Sequence, residues 1–285
     1  MSESLTVTPV EGLGKLASTV TWANGCSNLP CQSYNASQVN GGFPWKERAL
    51  IVLTLNYLEN KGNGAPVVLL LFNGGPLNVT WADQNPSVSA IMECWFSAQS
   101  SGTALLHVLT NEGGTSSPAG RLPSTWPLLA DDIPDFSNYS MSGRTYRYSN
   151  ASALYPFGFG LSYTTFRYSD LVVPKTLTLG RDLDVTVTVT NTGSVPADEV
   201  TQIYIEWIQK SVATPRLQLV AVTRTTTAPG QGNTLHFTVP ADYLAVYHDN
   251  RWILMQCTIR VYAGDQQPNQ RSVGSNVVIA DVQMT

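Results

Sequence analysis

The chain has 285 residues, which is enough for one or two domains with cores of their own. A formal net charge of −4 excludes the basic surface of nucleic-acid-binding proteins, and the longest apolar run, residues 65–72, is too short to span a bilayer. Hydrophobic residues make up 43% and charged residues 13%, with 17 prolines and 22 glycines, which is typical of a loop-rich globular protein. We therefore expect no nucleic-acid partner and no membrane insertion.

The first half of the chain predicts alternating strands and helices. Residues 47–60 place Leu50, Leu53 and Tyr57 on one face at helical spacing, and glycines follow this predicted helix. Residues 65–72 form a continuous apolar run, as expected of a strand buried on both faces of a parallel sheet. The next predicted elements are a short helix beginning at Trp81, a strand over residues 89–96 and a helix over residues 103–110. This order indicates a parallel sheet flanked by helices.

The second half predicts strands alone. Residues 183–189 alternate apolar and polar side chains, which predicts a strand buried on one face. After a turn, residues 199–205 predict a second strand, and residues 234–239 repeat the alternation. Residues 253–261 predict a further strand with its apolar side chains on one face. Several short strands separated by turns favour a β-sandwich.

A segment rich in glycine and aromatic residues joins the two halves. It contains GRTYRY at residues 143–148 and YPFGFGLSYTTF at residues 155–166. Three further motifs are PVVLLLFNGGPLNVTWADQNP at residues 66–86, PAGRLPSTWP at 118–127 and VTVTNTGSVPADEVTQIYI at 187–205. Together these motifs closely resemble the C-terminal part of glycoside hydrolase family 3, the family of β-glucosidases and β-xylosidases.

The resemblance implies an architecture of two domains. The fold expected is an α/β three-layer sandwich, present in part, with a parallel sheet and flanking helices, followed by an all-β fibronectin type III-like sandwich. The implied boundaries are a truncated family 3 C-terminal α/β-sandwich domain over residues 1–127, an aromatic and glycine-rich linker over residues 128–170, and a fibronectin type III-like domain over residues 171–285.

The resemblance also implies a lineage, the hydrolysis of β-glycosidic bonds in xylan or xylo-oligosaccharides. Family members carry a nucleophilic aspartate on a preceding (β/α)8 barrel, which has no counterpart here. They carry the acid/base glutamate on a loop that is missing between Cys31 and Ala65. Retaining hydrolysis needs both carboxyl groups, about 5–5.5 Å apart. We therefore expect no catalytic residue in this chain and no glycoside hydrolysis by the chain alone.

The acidic residues that remain each have a structural interpretation. They are Glu47 in the first turn of a helix, Asp131, Asp132 and Asp135 in a proline-containing linker, Asp182 and Asp184 on the polar side of a strand, and Asp198 and Glu199 beside a turn. Two alternatives stay open. The chain could be a non-catalytic carbohydrate-binding or scaffolding protein, or an enzyme that acts through an unrecognised carboxylate pair.

Six aromatic side chains near the linker are candidates for stacking on a sugar or for packing between domains: Tyr146, Tyr148, Tyr155, Phe157, Phe159 and Tyr163. We favour packing, because aromatic side chains mostly bury area at such contacts and the family's segment lies between domains. A part of this surface left open would attract a partner. The candidate partners are a β-linked oligosaccharide and a barrel-bearing partner chain.

Two cysteines lie close together near the start of the chain. Cys26 and Cys31 flank Pro30 and resemble a small disulfide loop of the family's extracellular members. Free thiols or half of a metal site are the alternatives. A metal site would need two more ligands, and Cys94 and Cys257 stand far off in apolar contexts. We therefore expect a disulfide and no metal.

Four Asn-x-Ser/Thr triplets are candidate glycosylation sites: Asn35, Asn78, Asn138 and Asn150. With the cysteine pair they favour an extracellular or secretory-pathway location by ancestry, although the first residues lack the basic patch and apolar core of a signal peptide. The histidines show no ligand spacing, and the glycines after Phe72 lack the Lys and Ser/Thr of a phosphate loop. We therefore expect no cofactor.

Overall fold

The computed structural model describes residues 50–53, 67–96, 98–128, 133–135, 137–268 and 276–285. The chain divides into two compact units, an N-terminal unit, Met1–Glu112, and a C-terminal unit, Gly113–Thr285. In the part of the chain described, no helix is both long enough and apolar enough to cross a membrane.

The N-terminal unit contains a three-stranded sheet and two helices. Its elements are β1 (Leu50–Leu53), β2 (Val67–Leu71), α1 (Thr80–Asp83), β3 (Val88–Glu93) and α2 (Ser101–Thr110). The strand order is β1-β2-β3, in which β2 and β3 run parallel and β1 and β2 antiparallel. The predicted βαβα order over residues 65–110 is thus confirmed, and the described sheet is mixed rather than purely parallel.

The central strand β2 carries the core of this unit. Leu69, Leu70 and Leu71 are each at most 1% exposed, so both faces of the strand are covered. Leu70 packs with Phe72 and with Leu105 of α2. The continuous apolar run therefore behaves as a strand buried on both sides, as the sequence predicts.

The predicted helix over residues 47–60 is wrong at Leu50–Leu53, which forms β1 and pairs with β2. Four consecutive apolar residues, two of them β-branched, suit a strand as well as a helix face. The helical spacing to Tyr57 was a weaker signal than this local run. The other residues of the predicted helix lie outside the described residues.

The C-terminal unit is a β-sandwich preceded by a segment with two short strands and one short helix. Its elements are β4 (Trp126–Pro127), α3 (Thr145–Tyr148), β5 (Ala153–Tyr155), β6 (Phe166–Val172), β7 (Thr176–Leu177), β8 (Leu183–Asn191), β9 (Ala197–Ile208), β10 (Gln218–Thr227), β11 (Gly232–Val239), β12 (Val246–His248), β13 (Arg251–Ile253), β14 (Thr258–Gly264) and β15 (Val278–Met284). The larger sheet has the order β10-β9-β14-β15-β7, and the smaller has the order β11-β8-β6. The antiparallel pair β4-β5 and the hairpin β12-β13 form two further two-stranded sheets.

Alternating side chains build the core between the two sheets. Leu183, Val185, Val187 and Val189 of β8 are at most 2% exposed, and they pack in one cluster with residues of the opposite sheet such as Ile203. The residues between them on β8 are half-buried or exposed. The predicted strand over residues 183–189 is confirmed, as are those at 199–205 and 234–239.

The strand predicted over residues 253–261 is two strands in different sheets, β13 and β14, separated by residues 254–257, which are not in a strand. Met255 and Cys257 are nevertheless buried in the same core as Ile259 and Val261. An alternating pattern reports which side chains point inward, and it does not distinguish a continuous strand from one interrupted by a bend.

Strand β9 is buried on both faces. Ile203 and Ile205 point into the core between the sheets, whereas Tyr204 points to the opposite face and packs with Tyr146 and Phe157. Residues 201–205 are all buried. The segment that precedes the sandwich therefore covers the outer face of the larger sheet, and contact within the chain assigns that segment to the same unit as the sandwich.

Candidate functional site

The carboxyl edge of the parallel pair β2–β3 is the first candidate site. Asn73 follows β2 and is 2% exposed, and its Nδ2 donates a hydrogen bond to Glu93 Oε2 at 3.0 Å, at the end of β3. The other carboxylate oxygen of Glu93 accepts from the Trp95 N–H at 2.8 Å, and Asn73 Oδ1 accepts from the Gly75 N–H at 2.9 Å. In open α/β sheets, ligands bind at this edge.

The surroundings of Glu93 act on its pKa in opposite directions. Burial raises the pKa of this carboxyl group, while the hydrogen bonds from Trp95 and Asn73 lower it. Burial, and secondarily the charge of Glu93, raises the pKa of the neighbouring Cys94 thiol to about 12. Our sequence interpretation missed Glu93. The signal in the sequence was an acidic residue at the end of one apolar strand, together with the glycines that follow the preceding apolar strand.

The described carboxylates that the sequence singled out are engaged in structural contacts. Asp182 accepts from the Ala241 N–H, Asp184 from the Thr238 hydroxyl, and Asp198 from Arg224 and Thr226, while Asp135 closes a turn by accepting from Ser137. The hydrogen bonds from Ser137 lower the pKa of Asp135, and those from Thr226 and Arg224 lower that of Asp198. Glu47, Asp131 and Asp132 lie outside the described residues.

Glu199 is the exception, because it lies within β9 and not beside a turn as predicted. It is 1% exposed, on the same face of the strand as Ile203. Its Oε2 accepts from Arg121 Nη2 at 2.8 Å, and its Oε1 accepts from the Tyr168 hydroxyl at 2.6 Å. Arg121 comes from the PAGRLPSTWP motif, so this buried ion pair ties that motif to the sandwich. Burial, and then the charge of Glu199, raises the pKa of Tyr168 well above its usual value.

A second buried polar group lies beside this ion pair. Burial, and then the charge of Glu199, raises the pKa of Asp265 to about 7. Asp265 Oδ1 is buried without a hydrogen-bond partner in the part of the chain described. The backbone carbonyl of Asp265 accepts from Gln202 Nε2 at 2.8 Å, and the same nitrogen donates to the Gly158 carbonyl at 3.0 Å. Gln202 thereby joins the YPFGFG motif to two strands of the larger sheet.

Gly158 shows why the YPFGFG motif needs glycine. Its φ of +79° lies in the left-handed region, and a Cβ placed on it would collide with Gln202 Oε1. The backbone of this motif therefore lies directly on the outer face of β9. Gly158 N–H and Phe159 carbonyl also pair with Leu122, which links the motif to residues 118–127.

The six candidate aromatic side chains do not form a single surface. Tyr146 stacks on Phe157 with ring centroids 4.3 Å apart and meets Tyr204 edge-on at 6.0 Å. Tyr155 stacks on Phe159 at 5.6 Å and meets Trp126 edge-on at 5.9 Å. Four of the six thus pack in two clusters within the C-terminal unit.

The remaining two aromatic side chains lie apart from these clusters. The Arg147 guanidinium lies 5.6 Å from the centre of the Tyr148 ring, and Tyr163 is 42% exposed. Tyr148 and Tyr163 therefore retain surface that a ligand could reach.

The modification sites fall on both described and undescribed residues. Asn78, Asn138 and Asn150 are exposed, as a glycan requires, whereas Asn35 and the predicted Cys26–Cys31 disulfide lie outside the described residues. Cys94 and Cys257 are free thiols, half-buried and buried.

Comparison with known proteins agrees with the motifs. The Glycosyl hydrolase family 3 C-terminal domain matches residues 44–163, and the Fibronectin type III-like domain matches residues 199–267. The periplasmic beta-glucosidase of Salmonella typhimurium is 34% identical over 227 residues, which cover 75% of this chain and 28% of that protein. A beta-xylosidase of Formosa agariphila is 33% identical over 193 residues, which cover 66% of this chain and 26% of that protein.

Solved structures show the same relationship. The beta-glucosidase 3B of Thermotoga neapolitana in complex with glucose superimposes with a TM-score of 0.66 at 28% identity, over 77% of this chain and 31% of that one. The beta-glucosidase of Listeria innocua in complex with glucose gives a TM-score of 0.64 at 27% identity, over 77% and 31%. The chain spans less than a third of each of these relatives. It belongs to glycosyl hydrolase family 3, of which it carries the C-terminal domain and the fibronectin type III-like domain.

Proposed function

We propose that this chain is a non-catalytic C-terminal portion of a β-glycoside hydrolase of β-D-xylosidase-like lineage. The observation that carries the proposal is the use of the family motifs for packing. Arg121 is committed to a buried ion pair with Glu199, and Gly158 lies against Gln202. The motifs therefore build a support in which the linker and the sandwich stabilise each other, while the catalytic carboxylates are supplied elsewhere.

Retaining hydrolysis requires two carboxyl groups that face one glycosidic bond. Burial raises the pKa of Glu93, as suits a general acid, but the hydrogen bonds that reach this carboxyl group come from Asn73 and the Trp95 N–H, which lower it. Glu199 already accepts from a cation and a phenol. Neither environment resembles a nucleophile and acid pair, which supports a chain without turnover of its own.

Finer features of the proposal rest on the sequence motifs. The relatives' names include both glucosidases and xylosidases, so they do not distinguish the two substrates. The preference for β-xylosides therefore rests on the motifs at residues 117–127 and 143–148. We infer that the β2–β3 pair and its helices belong to a three-layer α/β sandwich. This inference rests on the match to the family 3 C-terminal domain over residues 44–163. An extracellular location is supported by the exposure of Asn78, Asn138 and Asn150.

The test is hydrolysis of aryl β-D-xyloside, β-D-glucoside and α-L-arabinofuranoside by the purified chain beside an intact family member. We expect no turnover above buffer, because the chain lacks both the barrel nucleophile and the acid/base loop. Turnover by the chain alone, abolished by Glu47→Gln, Glu93→Gln, Asp131→Asn or Asp132→Asn, would reveal a rebuilt active site and refute the proposal.

A second candidate function is non-catalytic carbohydrate binding. It is favoured by the exposed aromatic side chains of the hairpin β12-β13, Tyr247 and Trp252, which are 57% and 69% exposed. Large aromatic side chains are seldom left in water without a binding role when they cluster. This function predicts measurable affinity for an oligosaccharide in the absence of turnover.

A further inference from the structure

A groove of about 780 Å³ lies in the C-terminal unit between α3 and the hairpin β12-β13. Arg147 and Tyr148 of the GRTYRY motif line one side, and Tyr247 and Trp252 of the hairpin line the other. Its size falls within the range of small-molecule sites in proteins. The groove is thus formed where the linker motif meets the sandwich.

Aromatic rings form the hairpin side of the groove. Tyr247 and Trp252 are cross-strand partners, with ring centroids 5.4 Å apart and planes inclined at 65°. Tyr243, on the 3-10 turn just before the hairpin, adds a third ring that is 50% exposed. The three side chains keep half or more of their surface in contact with solvent.

The backbone beneath these rings is fixed. Asp249 and Asn250 close the hairpin with φ values of 48° and 61°, as a tight two-residue turn requires. Val246, which points opposite to Tyr247, is 5% exposed in the core, and Trp207 Nε1 donates to the Leu244 carbonyl at 3.1 Å. Because the inner face is anchored, the outward rings are held in position before any ligand arrives.

Planar polar groups form the other side. Gln218 Oε1 accepts from Arg147 Nη2 at 2.8 Å, and Gln218 Nε2 donates to the Tyr243 carbonyl at 3.3 Å. Arg147 Nε is buried without a hydrogen-bond partner among the described residues. The exposed carboxylate of Asp242 also lines the groove. The charges of Arg147 and Asp242 balance, which suits an uncharged ligand with many hydroxyl groups.

We propose that this groove binds a neutral, β-linked chain of glucose- or xylose-type pyranose units, with Tyr247 and Trp252 stacking on the sugar rings. In such units every ring substituent is equatorial, so both flat faces present C–H bonds. Aromatic faces carry partial negative charge and attract these C–H bonds. Equatorial hydroxyl groups at the rim then meet Asp242, Gln218 and Arg147. The site rests on the second candidate function, which it deepens by naming the surface and the ligand, and it does not depend on hydrolysis.

The test is isothermal titration calorimetry of the full chain with cellohexaose and with xylohexaose. We expect weak binding, roughly millimolar, of at least one of them, because the groove is open to solvent. We expect Trp252→Ala to weaken it about tenfold or more, and Trp252→Phe to retain more affinity than Trp252→Leu, since a ring face and not bulk is needed. Comparing the two oligosaccharides shows which pyranose the groove prefers.

Phe96→Ala is the matched control, because the Phe96 side chain is 69% exposed, like that of Trp252, and does not line the groove. This control variant should bind with unchanged affinity. Trp252→Ala should unfold at the same midpoint temperature as the wild type, because the Trp252 side chain is 69% exposed. Binding that survives Trp252→Ala and Tyr247→Ala would overturn the groove as the site while carbohydrate binding elsewhere stands. Absence of binding to both oligosaccharides would overturn the site and the second candidate function together.

Discussion

At the scale of single residues, the Glu199 carboxylate organises the C-terminal unit. Its partners are distant in sequence, since Arg121 precedes it by 78 residues and Tyr168 by 31. A buried carboxylate is costly unless charge and hydrogen bonds compensate it. The end of the sandwich core is therefore complete only when the PAGRLPSTWP motif has docked on it.

Removal of the cation should destabilise the unit strongly. Arg121→Met leaves Glu199 buried and unpaired, and we expect a loss of about 3–5 kcal/mol in the free energy of unfolding. Urea unfolding followed by tryptophan fluorescence measures it. The double variant Arg121→Met, Glu199→Gln should lose less than the sum of the single losses, because no unpaired charge remains. Arg224→Met, which breaks a solvent-exposed pair with Asp198, is the control with a small effect. Strict additivity in the double variant would show that the pair is not coupled.

Asp265 should make stability depend on pH. Its pKa is raised from 3.8 to about 7, so the folded state holds a proton that the unfolded state releases. The stabilisation is complete below about pH 4 and is lost as the pH rises to about 7. We expect Asp265→Asn to flatten this decline, so that the variant gains on the wild type between pH 4 and pH 8. Unfolding free energies at several pH values measure the difference, and parallel curves for the two proteins would contradict the assignment.

At the scale of elements, strands with a local alternating pattern were predicted, whereas a strand that depends on its pairing with β9 was not. Alternation over residues 183–189 is a local signal, and it correctly predicts β8. Strand β10 contains the polar run Thr223–Thr227 and escaped prediction, because its pairing with β9 is what makes it a strand. Glu199 resembled a solvated residue because the Arg121 that neutralises it lies far away in the sequence.

Some residues of the candidate sites could be identified from sequence motifs, and others only from the folded structure. The GRTYRY and YPFGFG motifs were identifiable by their composition, and Tyr148 does line the groove. Tyr247 and Trp252 were not identified, because cross-strand pairing and exposure are properties of the folded hairpin. Glu93 required knowledge of which strand ends lie side by side.

Gly158 and Gly180 form a matched pair for testing how closely the linker lies on β9. Both have φ values near +80°, but a Cβ on Gly158 would collide with Gln202, whereas a Cβ on Gly180 has open space. Gly180→Ala should cost about 1–2 kcal/mol for the backbone alone. Gly158→Ala should cost about 1–3 kcal/mol more for the steric overlap. Chemical denaturation of both variants measures the gap, and equal losses would mean that the linker can move away without penalty.

At the scale of the whole molecule, the linker and the sandwich form one unit, Gly113–Thr285. The PAGRLPSTWP motif contributes Arg121 to the sandwich core, and Tyr146 and Phe157 of the linker cover Tyr204 on the outer face of β9. The sandwich contributes the ring of Tyr204 and the amide of Gln202 to the linker. Each part therefore lacks a complete core without the other.

A pair of fragments tests this interdependence. Residues 113–285 should unfold in one cooperative transition and remain monomeric in sedimentation velocity. Residues 165–285 keep every strand of the two sheets but expose Tyr204 and leave Glu199 without Arg121. We expect this shorter fragment to bind a hydrophobic dye, to associate, and to unfold at lower urea concentration. Equal stability of the two fragments would show that the linker is a passive tether.

Strand β9 also sets the order in which the protein can mature during translation. The ribosome makes the cover of its outer face first and its neighbour β10 directly afterwards, whereas its other neighbour, β14, begins at Thr258 near the end of the chain. A nascent chain that has emerged through β11 therefore carries a long strand with one open edge. Open edges recruit strands of other chains, and chaperones act on such intermediates. Pauses in synthesis between β11 and β14 would therefore prolong this state and lower the yield of soluble protein.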